Sequence, residues 1–300
     1  MKSQLRFFSL SLIITFLSFS VSVHSQIKPE TQTGLLWEIS GKGLKESSYL
    51  FGTYHLVGKS FLDTLPQVIN QIKKVKTVVG ELVMEDEASM AQKLMPLMLL
   101  KDNTLDKILS AREFAEVDSF LKIKTGMTLS MLNGLKPSAV QVTLIAFLLP
   151  NNITPQNPAL DMYFQNEAKS LKINVVGLET LEEQGAFLFD APIERQKELL
   201  LKTVRESERM KGDIKELFEN YRRQDLKTIE SAFLKNEDYT VQEMNDLLSK
   251  RNKAWVREMP ELMINGPAFF AVGAGHLVGD NGLIALLKNL GYTLNPIALK

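Results

Sequence analysis

The sequence Gly-Thr-Tyr-His-Leu-Val-Gly at residues 52–58 returns near the other end of the chain as Gly-Ala-Gly-His-Leu-Val-Gly at residues 273–279. Each copy follows an apolar run that is typical of a strand, Tyr49-Leu50-Phe51 in the first case and Phe269-Phe270-Ala271-Val272 in the second. His55 and His276 therefore occupy equivalent places just after predicted strands. Imidazole is the commonest metal ligand and the usual acid–base group near neutral pH. The repeat indicates one site that uses both histidines.

Two glutamates follow predicted strands in the same way. The runs are Val78-Val79-Gly80-Glu81 and Val175-Val176-Gly177-Leu178-Glu179. In open α/β sheets, ligands bind beyond the carboxyl ends of the strands. If the four strands are parallel, both histidines and both glutamates reach one edge of the sheet, where they would suit Mn²⁺, Co²⁺ or Zn²⁺. For either glutamate alone, a helix cap or a surface position is an equally good interpretation.

Strand patterns alternate with helical ones along the chain. This alternation predicts an α/β protein with a mixed central sheet and helices on both of its faces. Residues from Leu181 to Met259 are almost entirely helical in period. We expect this helical middle section, about residues 181–260, to be an insertion or a lid on a domain that spans residues 26–300. Tyr292-Thr293-Leu294 predicts an additional edge strand.

The N-terminus has the pattern of a secretory signal peptide. Lys2 and Arg6 precede an apolar stretch from Phe7 to about Val23, and small or short residues follow up to Ser25. This order of charged, apolar and cleavable regions predicts removal of residues 1–25 after Ser25 and a periplasmic or secreted protein. The alternative is an uncleaved membrane anchor. N-terminal sequencing of exported protein should begin at Gln26, and an intact Met1 on membrane-bound material would contradict the prediction.

Composition excludes several classes of protein. The 35 basic and 35 acidic residues leave no net charge, and no basic patch argues for nucleic acid. The chain has no cysteine, which excludes disulfides and thiolate nucleophiles. No second long apolar run follows the N-terminus, so we expect no membrane span in the mature chain. Nothing in the sequence indicates an oligomeric state.

Arg251 and Asp161 are further candidates for the site. Thr240 and Glu243 form a capping-box pair that opens a helix. Arg251 lies on the apolar stripe of that helix, where an arginine needs an anionic partner such as a site carboxylate or a substrate. The alternative is an arginine whose charged end extends to solvent. Asp161 either orients a ligand or caps a helix.

Together these residues resemble the TraB/GumN family, which includes the Tiki proteins. The resemblance runs from about Leu35 to Leu294. It is carried by five blocks: Leu36-Trp37 with Tyr49 to His55, Glu81-Leu82, Asp161 with Gly177 to Thr180 and Glu183-Gln184, Arg251-Asn252 with Trp255, and Ala271 to Leu277. Tyr54 is bulkier than the aliphatic residue expected at its position in the family.

The resemblance implies an α/β fold similar to the erythromycin-esterase and ChaN-like group. For the Tiki members it implies metal-dependent cleavage of peptides, with the paired histidines and glutamates at the centre. The sequence thus predicts a metal-dependent hydrolase, most simply a peptidase that acts on a peptide or protein. His55, His276, Glu81 and Glu179 are the predicted ligands. One glutamate could serve as general base, and Arg251 could stabilise the oxyanion.

Two other classes of protein remain open at this point. One is a protein of ChaN-like fold that binds haem or another ligand, and a visible absorbance band near the Soret region would favour it. The other is a non-catalytic interaction protein whose helical middle binds a partner. Failure to hold any divalent metal would favour this second class. No His-Glu-x-x-His helix is present, so a thermolysin-like arrangement is excluded.

Overall fold

The strands that lead to the two histidines lie side by side in one sheet. The computed structural model describes residues 34–148, 153–235 and 238–299. Among these residues the strands are β1 (Leu36–Ser40), β2 (Ser48–Thr53), β3 (Thr77–Gly80), β4 (Asn174–Gly177), β5 (Ala268–Gly273) and β6 (Thr293–Pro296). They form one six-stranded sheet in the order β4-β3-β5-β2-β1-β6. Strands β4, β3, β5 and β2 are parallel, whereas β1 is antiparallel to both of its neighbours.

The central strands are buried on both faces. All six residues of β2 are buried, as are the first five of β5. Because successive side chains of a strand point to opposite faces, both faces of the sheet are covered. The predicted α/β class with a mixed sheet is confirmed, and β6 is the predicted edge strand. The likeness to erythromycin esterase and ChaN stays a prediction.

Helices fill the connections between the strands. The α-helices are α1 (Pro66–Ile72), α2 (Glu87–Met98), α3 (Leu105–Ile108), α4 (Ala111–Thr125), α5 (Pro137–Leu148), α6 (Leu160–Ser170), α7 (Leu181–Phe189), α8 (Ile193–Arg205), α9 (Ser207–Arg222), α10 (Leu226–Leu234), α11 (Val241–Met244), α12 (Arg251–Ile264) and α13 (Leu283–Asn289). A π-helical segment, Asn245–Lys250, joins α11 to α12. Short 3₁₀ segments cover Lys59–Thr64, Leu129–Leu132 and Ala274–His276.

A second apolar cluster lies among the helices, apart from the cluster on the sheet. It joins Val117 of α4, Leu144 of α5 and Leu200 of α8. Helices before and after β4 therefore share one core. The helical part of the protein thus includes α2–α5 as well as the predicted section at about 181–260. That this section acts as an insertion or lid stays a prediction.

The predicted signal peptide, residues 1–25, lies outside the described residues. Within the described ranges, every helix is too short or too polar to cross a bilayer.

Candidate active site at the carboxyl edge of the sheet

The four residues predicted from the strand ends meet at one edge of the sheet. Glu179 follows β4, Glu81 follows β3, His276 follows β5 and His55 follows β2. These four strands are adjacent and parallel, so their carboxyl ends open to the same side. Arg251, the first residue of α12, reaches into the space between them. We call these five residues the rim cluster.

A buried glutamine holds the turn that presents Glu81. The Gln165 side chain donates to the Leu82 carbonyl at 2.7 Å and accepts from the Met84 amide at 2.8 Å. Gly80, the residue before Glu81, lies against this glutamine, and a Cβ at Gly80 would lie 2.7 Å from Nε2 of Gln165. A side chain at the end of β3 would clash with the Gln165 amide, which packs against this turn. Glycine at this position avoids the clash.

Arg251 is the centre of the rim cluster, and all five of its N–H groups are used. Nε donates to Glu179 at 2.9 Å, and one terminal nitrogen donates to both Glu179 and Glu81, in the latter case at 2.6 Å. The other terminal nitrogen contacts the Leu247 carbonyl at 3.1 Å and Nε2 of His276 at 3.0 Å. The residue is 7% exposed, so the alternative of an arginine that extends to solvent is wrong.

The backbone before Arg251 departs from a regular α-helix. The predicted capping box of Thr240 and Glu243 is present, but the helix continues as π-helix over Asn245–Lys250. π-Helical turns are rare in proteins as a whole, but those that occur are often found at functional sites. Here the Leu247 carbonyl accepts a hydrogen bond from the Arg251 side chain. The π turn thus contributes one of the contacts that fix the guanidinium.

The network around His276 fixes its tautomer. Asn252 uses its amide NH₂ to donate to the His276 and Asn281 carbonyls, so its oxygen must accept at 2.7 Å from Nδ1 of His276. In the neutral ring Nε2 is then the acceptor for Arg251. Burial lowers the pKa of His276 to about 4, which keeps the imidazole neutral at neutral pH. Trp255 packs on the ring at 4.4 Å between centroids.

His55 is oriented by a carboxylate on α6. Its Nδ1 lies 2.8 Å from Oδ2 of Asp161, and the Thr53 hydroxyl donates to the other carboxylate oxygen at 2.7 Å. The Asp161 carboxylate thus contacts Thr53 and His55, and its predicted role in orienting a ligand stays a prediction. The charge of Asp161 raises the pKa of His55 to about 9. The imidazole itself is 64% accessible from the cavity above it, so water there screens this pair.

Glu81 is held as a carboxylate. Burial alone would raise its pKa, but the positive charge around it and the Gly273 amide, which donates at 2.8 Å, lower the pKa to about 2. Because His276 is neutral at neutral pH, Arg251 and His55 are the charges that act on Glu81 there. A general base works best with a pKa near the working pH. Glu81 is therefore poorly suited to that role.

A cavity of about 380 Å³ opens above the rim cluster. Its floor includes His55, Glu81, Arg251 and His276. Its apolar walls come from α7, α9, α10 and the π-helical segment, namely Phe187, Leu188, Leu217, Phe233, Leu247 and Leu248. A cavity with apolar walls and a few convergent polar groups is the usual form of a small-molecule or catalytic site.

Sequence reasoning gave no role to two side chains that complete the network. Gln184 on α7 donates to Glu179 at 3.0 Å and to Glu81 at 3.3 Å, and so bridges the two carboxylates. Asn252 orients His276. Both residues lie in the blocks that carry the family resemblance. Their position in those blocks was the one signal that could have identified them.

The fold and the rim cluster define an α/β protein with an enzyme-like site at the carboxyl ends of parallel strands. The chain belongs to the TraB/PrgY/gumN family, whose model matches residues 35–296. It is similar to metalloprotease TIKI1 of Danio rerio, with 24% identity over 82% of this chain and 60% of that protein. The TIKI homolog of Nematostella vectensis is 23% identical over 83% of this chain and 64% of its own length.

A shorter match reaches higher identity. Metalloprotease TIKI1 of Xenopus tropicalis is 28% identical over 45% of this chain and 32% of that protein. The chain therefore spans less than two thirds of the length of these relatives. No solved structure matches the chain.

Proposed function

We propose that this protein hydrolyses amide bonds of a peptide or protein at the rim cluster, with the help of a divalent metal ion. One observation carries the proposal: two oriented imidazoles, two buried carboxylates and a guanidinium converge beneath an accessible cavity. The metalloprotease names of the TIKI relatives support the reaction class.

The donor chemistry of the cluster fits a divalent ion such as Mn²⁺, Co²⁺ or Zn²⁺. His55 and His276 each have Nδ1 bonded to an oxygen acceptor, the arrangement that orients metal-binding histidines through their other nitrogen. In the part of the chain that is described, no three such side chains surround a common point that could hold an ion. Arg251 occupies Oε2 of Glu81 and both carboxylate oxygens of Glu179. A metal held by His276 and these glutamates would compete with the guanidinium for the same atoms.

A bound ion would polarise the scissile carbonyl and make an attacking water more acidic. Nε2 of His55 cannot bind the ion and accept a proton at the same time, so in this proposal His276 and the glutamates hold the ion and His55 is the acid–base group. Its Nδ1 is held by Asp161, and its Nε2 has no hydrogen-bond partner among the described residues. In the proposed reaction, water adds to the carbonyl carbon as its proton passes to Nε2 of His55. The same proton then moves to the amine nitrogen as the C–N bond breaks.

The arrangement around Arg251 favours positioning over oxyanion stabilisation. All five N–H groups are engaged, so none is left for an oxyanion unless an existing bond breaks. We propose that Arg251 holds both glutamates and Nε2 of His276 in place. Its predicted oxyanion role requires a rearrangement of these contacts.

Metal analysis of the purified mature protein tests the proposal. The protein is incubated with Mn²⁺, Co²⁺ or Zn²⁺, dialysed, and compared with a His55→Ala, His276→Ala double variant. We expect about one ion per chain in the wild type and almost none in the variant, because the variant lacks the proposed ligand His276. Equal metal content in the two proteins would contradict the metal site. Cleavage of a mixed peptide library, read by mass spectrometry, tests the reaction.

We expect activity to rise with pH across the neutral range. His55 must lose its proton before it can accept another from water, and Asp161 raises the pKa of His55 to about 9. Hence kcat/KM should rise by up to about tenfold per pH unit between about pH 7 and 9. The Asp161→Asn variant should move this rise to lower pH. An identical profile in the variant would contradict the role of the pair.

The same pair has the opposite effect on stability. A histidine whose pKa is raised in the folded state stabilises the protein fully below its ordinary pKa of 6.5. This contribution is lost as the pH rises through about 9. Because water in the cavity screens this pair, thermal melts across this range should show at most a small fall in stability while activity rises.

A further inference from the structure

The cavity above the rim cluster is built to receive an apolar group. Two large apolar side chains of α7 remain exposed although they face the protein, Phe187 by 41% and Leu188 by 43%. Leu217 of α9 and Phe233 of α10 continue the same wall. Exposed apolar surface that is gathered in a concave site marks a binding surface, whereas scattered apolar residues do not.

The apolar wall lies next to the charged residues of the rim cluster. The Arg251 guanidinium is near two rings, 5.8 Å from the centroid of Phe187 and 4.7 Å from that of Trp255. Phe187 thus belongs both to the wall and to the surroundings of the rim cluster. A group that packs on Phe187 places the atoms attached to it near His55 and Glu81, which line the same cavity.

Phe233 forms a partition at the back of the cavity. It also lines a neighbouring cavity of about 270 Å³, which is bounded by residues such as Met210 and Tyr239. The ring packs against Gly275, where an added Cβ would lie 2.7 Å from Cζ of Phe233. Gly275 therefore allows the ring to lie close to the turn that carries His276. Phe233 and Leu217 line both cavities, so truncation of the ring would enlarge the space available next to the first cavity.

We propose that this cavity binds an apolar side chain of the substrate residue next to the cleaved bond, and that Phe233 limits its size. The inference rests on the proposed function and names its substrate class: peptides with a leucine-sized or phenylalanine-sized residue beside that bond. Charged and very small residues are disfavoured there, because the wall offers no polar partner and a small group leaves it uncovered.

Binding to peptides that cannot be cleaved tests the inference separately from catalysis. The probes are pentapeptides of alanine with one reduced CH₂–NH bond and a variable residue on one side of it. The variable residue is Gly, Asp, Leu, Phe or 2-naphthylalanine, placed before the reduced bond in one series and after it in another. Only the series that places the variable residue in the cavity should discriminate. In that series, we expect calorimetry on the wild type to show at least tenfold tighter binding of the Leu or Phe peptide than of the Gly or Asp peptide. Naphthylalanine should bind more weakly than Leu.

The Phe233→Ala variant should reverse the order of the two largest groups. In Phe233→Ala, the affinity for naphthylalanine should rise at least tenfold relative to that for Leu, because the ring that limits the cavity is gone. If this variant folds poorly, Phe233→Leu replaces it, and we expect a smaller shift in the same direction. Phe147→Ala is the matched control: Phe147 lies on α5, is 53% exposed and does not line the cavity. This control should keep the wild-type order.

The outcomes separate the two proposals. If the wild type binds all peptides of both series with equal affinity, the inference is overturned, whether or not the protein cleaves peptides. An unchanged order in both Phe233 variants overturns the role of Phe233. The expected order in a protein that cleaves no member of the peptide library upholds the apolar site and rejects the proposed hydrolysis.

Discussion

The Arg251→Met variant is expected to lower the free energy of unfolding by about 3–5 kcal/mol at neutral pH. Methionine keeps much of the packing volume, but it removes the cation between Glu81 and Glu179. Both carboxylates are buried, with side chains 7% and 6% exposed. The partners left to them are the Gln184 amide and, for Glu81, the backbone amide of Gly273. Urea denaturation of the two proteins measures the difference.

The loss should depend on pH in a defined direction. In the wild type, the pKa of Glu81 is lowered to about 2, so its stabilising contribution is present above its ordinary 4.5 and lost as the pH falls through 2. In the variant, two buried like charges raise the pKa of one carboxyl, and protonation relieves the repulsion. The deficit should therefore be largest near neutral pH and smaller at about pH 5.

Two comparisons isolate the buried pair. Arg222→Met removes an arginine that is 57% exposed and lies 3.8 Å from Glu219, so its effect should stay below about 1 kcal/mol. Adding Glu179→Gln to Arg251→Met should restore part of the stability, because one of the unpaired charges is gone. An Arg251→Met loss as small as that of the Arg222 control would contradict the buried pair.

The same variant measures competition between the guanidinium and a metal ion. If the cluster binds a metal, Arg251→Met should recover stability when Mn²⁺, Co²⁺ or Zn²⁺ is added. Ligand at about 100 times its Kd stabilises a protein by about 2.7 kcal/mol. No recovery at any concentration of the three ions would contradict the proposal that the glutamates are metal ligands.

The edge of the sheet could be predicted because its determinants are local. Each strand is a short apolar run that ends in glycine or next to it, and His55, Glu81, Glu179 and His276 all follow such runs. Local sequence determines where a strand ends, and the carboxyl ends of parallel strands share one edge. The parallel pairing of β2, β5, β3 and β4 places the four strand ends at one edge, and a shared site of the four side chains stays a prediction. Their chemical roles remain proposals.

The contacts that connect these residues could not be predicted, because they depend on tertiary distances. The stripe on the helix is compatible with a buried Arg251 that needs an anion and with one that extends to solvent. Its observed partners follow β3 and β4, far away in sequence. The spacing of apolar residues in the sequence does not distinguish the π turn before Arg251 from a regular helix. Gln184 is an ordinary residue of an amphipathic helix until α7 packs beside both glutamates. In each case the local pattern is compatible with several partners.

His55→Ala and His276→Ala are each expected to lower kcat/KM by about 10²–10³-fold on the peptide library. The double variant should lose little more than either single one, because residues that act as a unit give non-additive losses. The coupling has a structural path: His276 contacts Arg251, which holds Glu81, and the charge of His55 acts on that same carboxylate.

Stability must be separated from catalysis in these variants, and the two histidines differ in this respect. His55 faces the cavity, so its removal should leave the melting temperature almost unchanged. His276→Ala leaves the buried oxygen of Asn252 without its donor, which costs about 1–3 kcal/mol. His276→Asn can retain an N–H for that oxygen while it removes Nε2, so it tests the chemistry in a better folded protein. If the two losses multiply in the double variant, the histidines act at independent sites and the shared rim cluster is rejected.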